Sequence, residues 1–156
     1  MIALVQRVAS ASVRVEGGVV GEIGRGLLVL LGVVRGDRQA EGDWLADKVA
    51  ALRVFPDDEG RMNRSLRDVG GQALVVSQFT LAGDARKGTR PSYARAARPD
   101  VAEPLYRAFA DRLAERLGRP VPTGAFGATL EVALVNDGPV TLWIEREPPP
   151  TVDATS

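Results

Sequence analysis

The sequence predicts one mixed α/β domain in which a single sheet carries its helices on one side. Three observations predict it. The 156 residues, 45% of them hydrophobic, suit about one domain that buries roughly two-thirds of its unfolded surface. Segments of β-branched and alternating residues are interleaved with two segments of helical period. Their order is strands, helix, strand, helix, two strands, with no internal repeat.

Residues 2–8 and 12–15 are rich in β-branched side chains and read as two strands. Glu16, Gly17 and Gly18 form a permissive turn, and residues 19–23 return as a hairpin partner. Residues 26–34 are continuously apolar between glycines, the pattern of a strand buried on both faces. Asp37 is placed to cap a helix running to Arg53, with Leu45, Val49 and Leu52 on one face, Trp44 beside them and Pro56 as its stop. Residues 57–70 are polar and read as a loop with about one turn. Residues 73–80 begin as a buried strand and turn polar at Ser77 and Gln78.

Ala102, Tyr106, Phe109, Leu113 and Leu117 form one stripe of a second helix, about four turns long. Asp100 and Glu103 have the spacing of a capping box, Pro104 marks where the regular part starts, and Gly118 with Pro120 closes it. Residues 129–135 alternate at Leu130, Val132 and Leu134; residues 136–139 interrupt, and residues 140–145 form the last strand. The domain is expected over residues 1–146, followed by a Pro-rich disordered tail at 147–156.

Composition removes whole chemistries. With no cysteine and no histidine, there is no disulfide framework, thiolate nucleophile, Ser-His-Asp triad or HExxH zinc site. Catalysis falls to hydroxyls, carboxylates, amines, backbone dipoles or the substrate. Twenty Lys and Arg balance 20 Asp and Glu, which argues against coating nucleic acid along its length but leaves room for a local basic patch. No apolar run approaches the ~18 residues of a membrane span, and the N-terminal segment carries Arg7 and lacks the core of a signal peptide. A soluble cytoplasmic protein is expected, with no membrane partner.

Three places break local rules, where function is expected. In Ser77-Gln78-Phe79-Thr80 the hydroxyls either satisfy a strand end or mark a polar end whose backbone N–H groups hold an oxyanion. Asn136-Asp137-Gly138-Pro139 is made of ordinary turn residues, yet Pro139 falls where strand pairing should resume. Were the Gly138–Pro139 bond cis, two carbonyls would stand side by side with no side chain over them. Such a surface accepts hydrogen bonds from an ammonium and refuses a substituent pointing at it, a way to read chirality. Residues 83–99 hold five basic residues against one acid. Their run from Arg86 to Ser92, extended by Arg95 and Arg98, reads as a solvated loop or as a contact for one or two phosphates.

Taken together, the motifs resemble the D-aminoacyl-tRNA deacylase family over residues 1–145. The matches are QRV at 6–8, GEIGRGLLVLLGV at 21–33, SQFTL at 77–81, GTRPSY at 88–93, TGAFGA at 123–128 and LVNDGPVT at 134–141. Departures are Ala82-Gly83 where the family tends to have Tyr-Ala, Thr89 for Asn, Tyr93 for Phe and Leu130 for Met.

The resemblance implies a barrel-like mixed sheet in a three-layer α/β/β arrangement and a homodimer with active sites at the subunit interface, with no metal and no cofactor. It implies that Ser77, Gln78, Phe79 and Thr80 line the catalytic pocket. Gly138 and Pro139 would enter the partner's site with a cis bond, Arg7 would hold that motif, and Phe126 would lie against the terminal adenine. Asn136 and Thr141 belong to the same substrate-binding motif. The reaction implied is hydrolysis of the ester joining a D-amino acid, or glycine, to the tRNA 3′ ribose. Two routes are open: backbone N–H groups near Phe79 and Thr80 with help from the ribose 2′-hydroxyl, or Thr80 as a covalent nucleophile. Two other classes stay open, a non-catalytic module that binds tRNA 3′ ends and a ligand-free dimeric scaffold.

Overall fold

A computed structural model describes residues 1–150. Its sheet has five strands: β1 (Ile2–Val15), β2 (Gly18–Ile23), β3 (Gly26–Gly32), β6 (Gln72–Ser77) and β7 (Glu131–Glu145). The order is β2-β1-β3-β6, with β7 on the other side of β1. Two helices, α1 (Gln39–Ala51) and α2 (Pro99–Leu117), pack against each other and on one face. Between β3 and β6 the chain also forms a small ribbon of β4 (Phe55–Pro56) and β5 (Met62–Arg64).

The two strands expected before residue 15 are one. β1 runs unbroken because its first half pairs with β3, from Ile2 opposite Gly32 to Val8 opposite Gly26, and its second half with β2. β3 and β6 pair in parallel, from Gly26–Gln72 to Leu31–Ser77, so a crossover must join them, and α1 lies in it. β3 and the Ala73–Val76 stretch of β6 are apolar because both faces are covered. Leu27, Val29, Leu31 and Val75 face a core shared with Leu45, Val49, Phe109 and Leu113 of the helices. Leu28, Leu74 and Val76 join Val8, Val13 and Ile23 in a second core inside the curl of the sheet. The mixed α/β fold with two helices is as the sequence predicts.

The turn residues at 136–139 form a bulge, not a chain reversal. β7 follows β1 along its whole length, from Ile2–Glu145 to Gln6–Thr141 and again from Ser10–Val135 to Arg14–Glu131. Both halves of β7 share one partner, so the residues between them loop out near Arg7 without reversing the chain. The alternation in β7 does not bury a face, either: Val132, Leu134, Leu142 and Trp143 are exposed.

Asp37 does not cap α1. It is buried, accepting from the Met1 ammonium at 2.8 Å and from the Val34 N–H at 2.8 Å, and burial pushes its carboxyl above the usual range. The cap falls to Arg38, whose N–H donates to Glu41 at 2.7 Å. The α1 helix ends at Ala51, before Pro56 can act, and the expected loop at 57–70 contributes β5. α2 starts at Pro99, ahead of Pro104, and its Asp100–Glu103 capping box does not form. The missing Pro104 donor falls on an exposed turn of the helix. The predicted stripe is buried, and Gly118 closes the helix by donating to Ala114 at 2.9 Å. Asp47 of α1 binds Arg112 (2.9 Å) and Arg116 (2.8 Å) of α2, and these guanidinium groups hold its carboxyl down at about 2. Of the expected tail, Pro148 lies over Gly36, 3.5 Å from where a β-carbon would stand, and residues 151–156 lie outside the described residues.

Candidate active site

The strand expected to reach residue 80 stops at Ser77, and Phe79–Ala82 turns into a 3₁₀ helix. Gln78 is the joint: its N–H donates to Leu31 at 2.8 Å and its carbonyl accepts from Leu81 at 3.2 Å. A 3₁₀ turn leaves its first N–H groups without an internal acceptor. Among the described residues, no acceptor pairs with the N–H of Phe79 or of Thr80. The Thr80 hydroxyl accepts from the Gln78 side-chain amide.

This turn forms one wall of a cavity of about 590 Å³. Ser77, Gln78 and Phe79 line it from β6 and the turn, and Phe126 and Gly127 line it from the segment before β7. That segment is held because Thr123 runs beside Val75 as an extra edge, with Gly124 N–H donating to Val75 at 3.1 Å. Phe126 packs on Tyr106 (centroids 5.7 Å apart), whose hydroxyl lies 3.3 Å from the Val75 carbonyl. The third wall is residues 93–97, laid along the end of β3 by hydrogen bonds from Arg35 to Arg95 (2.8 Å) and from Ala97 to Val33 (3.0 Å). The buried Asp37 secures this edge through Val34, and Val34 bridges to Ala96.

Tyr93 is the lining residue that periodicity did not single out. Its ring meets Phe79 edge-on at 5.2 Å. It also lies on Gly83, where an added β-carbon would be 2.9 Å from the ring and 2.9 Å from the Thr80 carbonyl. The φ of Gly83 is −64°, open to any residue, so space and not conformation requires glycine here. The signal in sequence was the GTRPSY match, in which Tyr93 replaces a family Phe.

Among the described residues, no carboxylate, amine or guanidinium lines the cavity. The acid next along the chain, Asp84, is bound by Arg86 at 2.9 and 2.6 Å, which holds its carboxyl well below the usual range and makes it a poor base. Among the described residues, no group of three or more His, Cys, Asp or Glu is placed to hold a metal ion. The polar supply of the cavity is therefore hydroxyl, amide and main chain.

The other expected residues gather elsewhere. The Gly138–Pro139 bond is cis and stands on the β7 bulge, outside the cavity. Arg7 fixes this bulge, donating to the carbonyls of Val54 at 2.7 Å and Asp137 at 3.2 Å and pairing with the Asp137 carboxylate at 3.2 Å. Asn136 donates to the carbonyls of Arg7 (2.9 Å) and Val140 (3.0 Å) and accepts from Thr141 at 3.3 Å. A β-carbon on Gly138 would stand 2.8 Å from Arg7 at a φ of +120°, a conformation that favours glycine. The structure thus brings Ser77, Gln78, Phe79 and Phe126 together around the cavity; Thr80, next along the turn, is exposed and does not line it as expected. It sets Arg7, Asn136, Gly138, Pro139 and Thr141 in a second cluster.

The sequence model of the family described as D-Tyr-tRNA(Tyr) deacylase matches residues 4–145. The D-aminoacyl-tRNA deacylase of Opitutus terrae is 61% identical over 145 residues, covering 93% of this chain and 97% of that protein. That of Roseiflexus castenholzii is 60% identical over 152 residues, covering 95% and 96%. A solved structure described as c-Myc DNA Unwinding Element Binding Protein superposes with a TM-score of 0.88 at 40% identity, covering 94% of this chain and 99% of that one. A probable eukaryotic D-amino acid tRNA deacylase shares the fold, with a TM-score of 0.78 at 18% identity over 92% of this chain and 97% of its own.

Proposed function

The chain belongs to the D-Tyr-tRNA(Tyr) deacylase family, and on that premise we propose how the cavity carries out the family's reaction and discriminates its substrates. The protein is a hydrolase that acts on the ester bond of D-aminoacyl-tRNA. The ester carbonyl accepts from the Phe79 and Thr80 N–H groups, which stabilise the oxyanion as water attacks. The bond to the 3′ oxygen then breaks. The proton of the attacking water passes through the neighbouring 2′-hydroxyl to the leaving 3′ oxygen, giving free amino acid and tRNA. Ser77 and Gln78 position the acyl group, and Phe126 packs on the terminal adenine. The observation that carries this mechanism is a turn with two adjacent unpaired backbone donors, at Phe79 in the cavity lining and at Thr80 next to it, with no carboxylate or amine among the lining residues.

Stereochemical selection falls to Gly138 and Pro139. Their carbonyls receive the substrate ammonium and leave no room for an L side chain, so D-aminoacyl and achiral glycyl esters, including glycine mischarged on tRNA-Ala, are accepted. The motif stands outside its own chain's cavity on a strand with exposed Val132, Leu134, Leu142 and Trp143. This supports a homodimer in which each copy supplies the motif to the other, with the site at the interface. Among the described residues no helix is long and apolar enough to cross a membrane. Because the substrate is an aminoacyl-tRNA, we place the reaction in the cytoplasm, as chiral proofreading during translation.

The test incubates the protein with matched D- and L-tyrosyl-tRNA and follows release of tyrosine. Release from the D form alone is expected. Binding without release favours a non-catalytic module for tRNA 3′ ends, and equal release from both forms removes the discrimination assigned to Gly138 and Pro139.

A further inference from the structure

Five cations lie between Gly83 and Pro99, and the structure neutralises three of them. Arg86 binds Asp84 at 2.6 Å, Arg95 binds Glu145 at 3.0 Å and Arg98 binds Asp100 at 3.2 Å. Lys87 and Arg90 have no carboxylate partner among the described residues, and both are exposed. They stand at the tip of a hairpin that Asp84 and Ser92 close with two hydrogen bonds, 2.7 and 2.9 Å. Gly88 between them takes φ +67° with open space around it. The base of this hairpin adjoins the cavity, because Tyr93, which lines it and rests on Phe79, follows Ser92 directly.

We propose that Lys87 and Arg90 hold two phosphates of the RNA strand whose 3′ end lies in the cavity. The proposal rests on the deacylase reading above and names where the polynucleotide runs from that site. Reach agrees: a hairpin arm of four residues extends at most about 13 Å from its closing bridge. A helical strand presents one phosphate per ~3.4 Å of axis, so the tip lies alongside nucleotides a few steps from the terminal one. Charge agrees as well. In a chain with no net charge, two cations kept clear of carboxylates beside the substrate cavity form a local anion contact. The bidentate Arg86–Asp84 pair stiffens the hairpin base, so holding the tip in place loses little entropy on binding.

The test compares the wild type with the Lys87→Ala/Arg90→Ala double variant on D-tyrosyl-tRNA and on the D-tyrosyl ester of adenosine, which has no phosphate. On the tRNA, KM of the wild type should rise with salt more steeply. Two phosphate contacts correspond to an excess of about seven- to twelvefold between 50 and 200 mM salt. The nucleoside ester should be cleaved equally by both proteins, and Arg98→Gln, which removes an already paired cation, should keep the wild-type salt slope. An unchanged KM and slope in the double variant overturns the proposal, as does an equal loss on the nucleoside ester, which would put the defect in the cavity. A wild-type protein that cleaves neither substrate brings down the deacylase reading itself, so the two failures are distinguishable.

Discussion

Replacing Gly83 by Ala tests whether the turn that carries the proposed oxyanion donors is held by packing. The new β-carbon would meet the Tyr93 ring and the Thr80 carbonyl, each at 2.9 Å, against 3.4 Å or more for ordinary contact. Turn or ring must therefore give by about 0.5 Å, and inserted volume of this kind costs roughly 1–3 kcal/mol. Against that, Ala at a φ of −64° restricts the unfolded chain, which contributes about 0.4–1 kcal/mol of stability. The net expectation is a loss of about 1–2 kcal/mol, a Tm lower by roughly 2–8 °C for a chain of this size. A displacement of about half an ångström in the donors should lower kcat roughly tenfold. The assay pairs thermal unfolding with release of tyrosine from D-tyrosyl-tRNA. In a Tyr93→Ala background about half of the stability cost should vanish, because the ring is gone and the Thr80 carbonyl remains. Wild-type stability and kcat in Gly83→Ala, or a cost unchanged when the ring is removed, would refute the packing argument.

Thr80→Ala should keep turnover within about tenfold of the wild type if the hydroxyl only accepts from Gln78. Near-complete loss of turnover, together with an acyl group trapped on Thr80 in the wild type, would sink the substrate-assisted route. Arg7→Ala should lower stability by about 1–3 kcal/mol in urea titration, since it strips the partner from the Val54 carbonyl, and it should lower the ratio of D to L release as the bulge loosens. Asp47→Asn should cost about 1 kcal/mol at pH 7, a figure reduced for the exposure of the pair. The Asp47 carboxyl is held at about 2 against an ordinary 3.8. Its contribution is therefore full above about pH 4 and lost as pH falls towards 2. Denaturation curves of the two proteins should converge over that window, and a gap that persists at pH 2 would place the cost elsewhere.

Where local and tertiary demands coincide, the chain is readable. The apolar runs of β3 and β6 and the α2 stripe each name their own burial, and the structure buries them. The misreadings arise where one local chemistry serves two non-local arrangements. Asn, Asp, Gly and Pro suit a hairpin or a bulge equally, and the choice rests on β1 pairing with both flanking segments. Asp37 has the chemistry of a helix cap, but a buried ammonium at Met1 claims it. In the site, Ser77, Gln78, Phe79 and Phe126 were legible because their motifs are distinctive. The Gly83–Tyr93 contact was not, since a glycine at an ordinary φ gives no sign of the ring it admits. Counting charge likewise finds five cations in one loop, and only the fold brings three of them to carboxylates.

The pairing of β1 with β7 also bears on how the chain folds as it is made. Glu145 sits opposite Ile2 and Glu131 opposite Arg14, contacts of very long sequence separation that raise contact order and slow folding. Synthesis at ~5–20 residues per second leaves an interval of roughly 10 s between emergence of the two strands. Throughout that interval one edge of β1, rich in Val and Ala, has no partner over its whole length and can template pairing with another nascent chain. β2, β3 and β6 can assemble on the other edge meanwhile, but this edge of β1 is covered only when β7 arrives. The strand that bears the Gly138–Pro139 bulge is thus also the one whose docking ends the aggregation-prone phase.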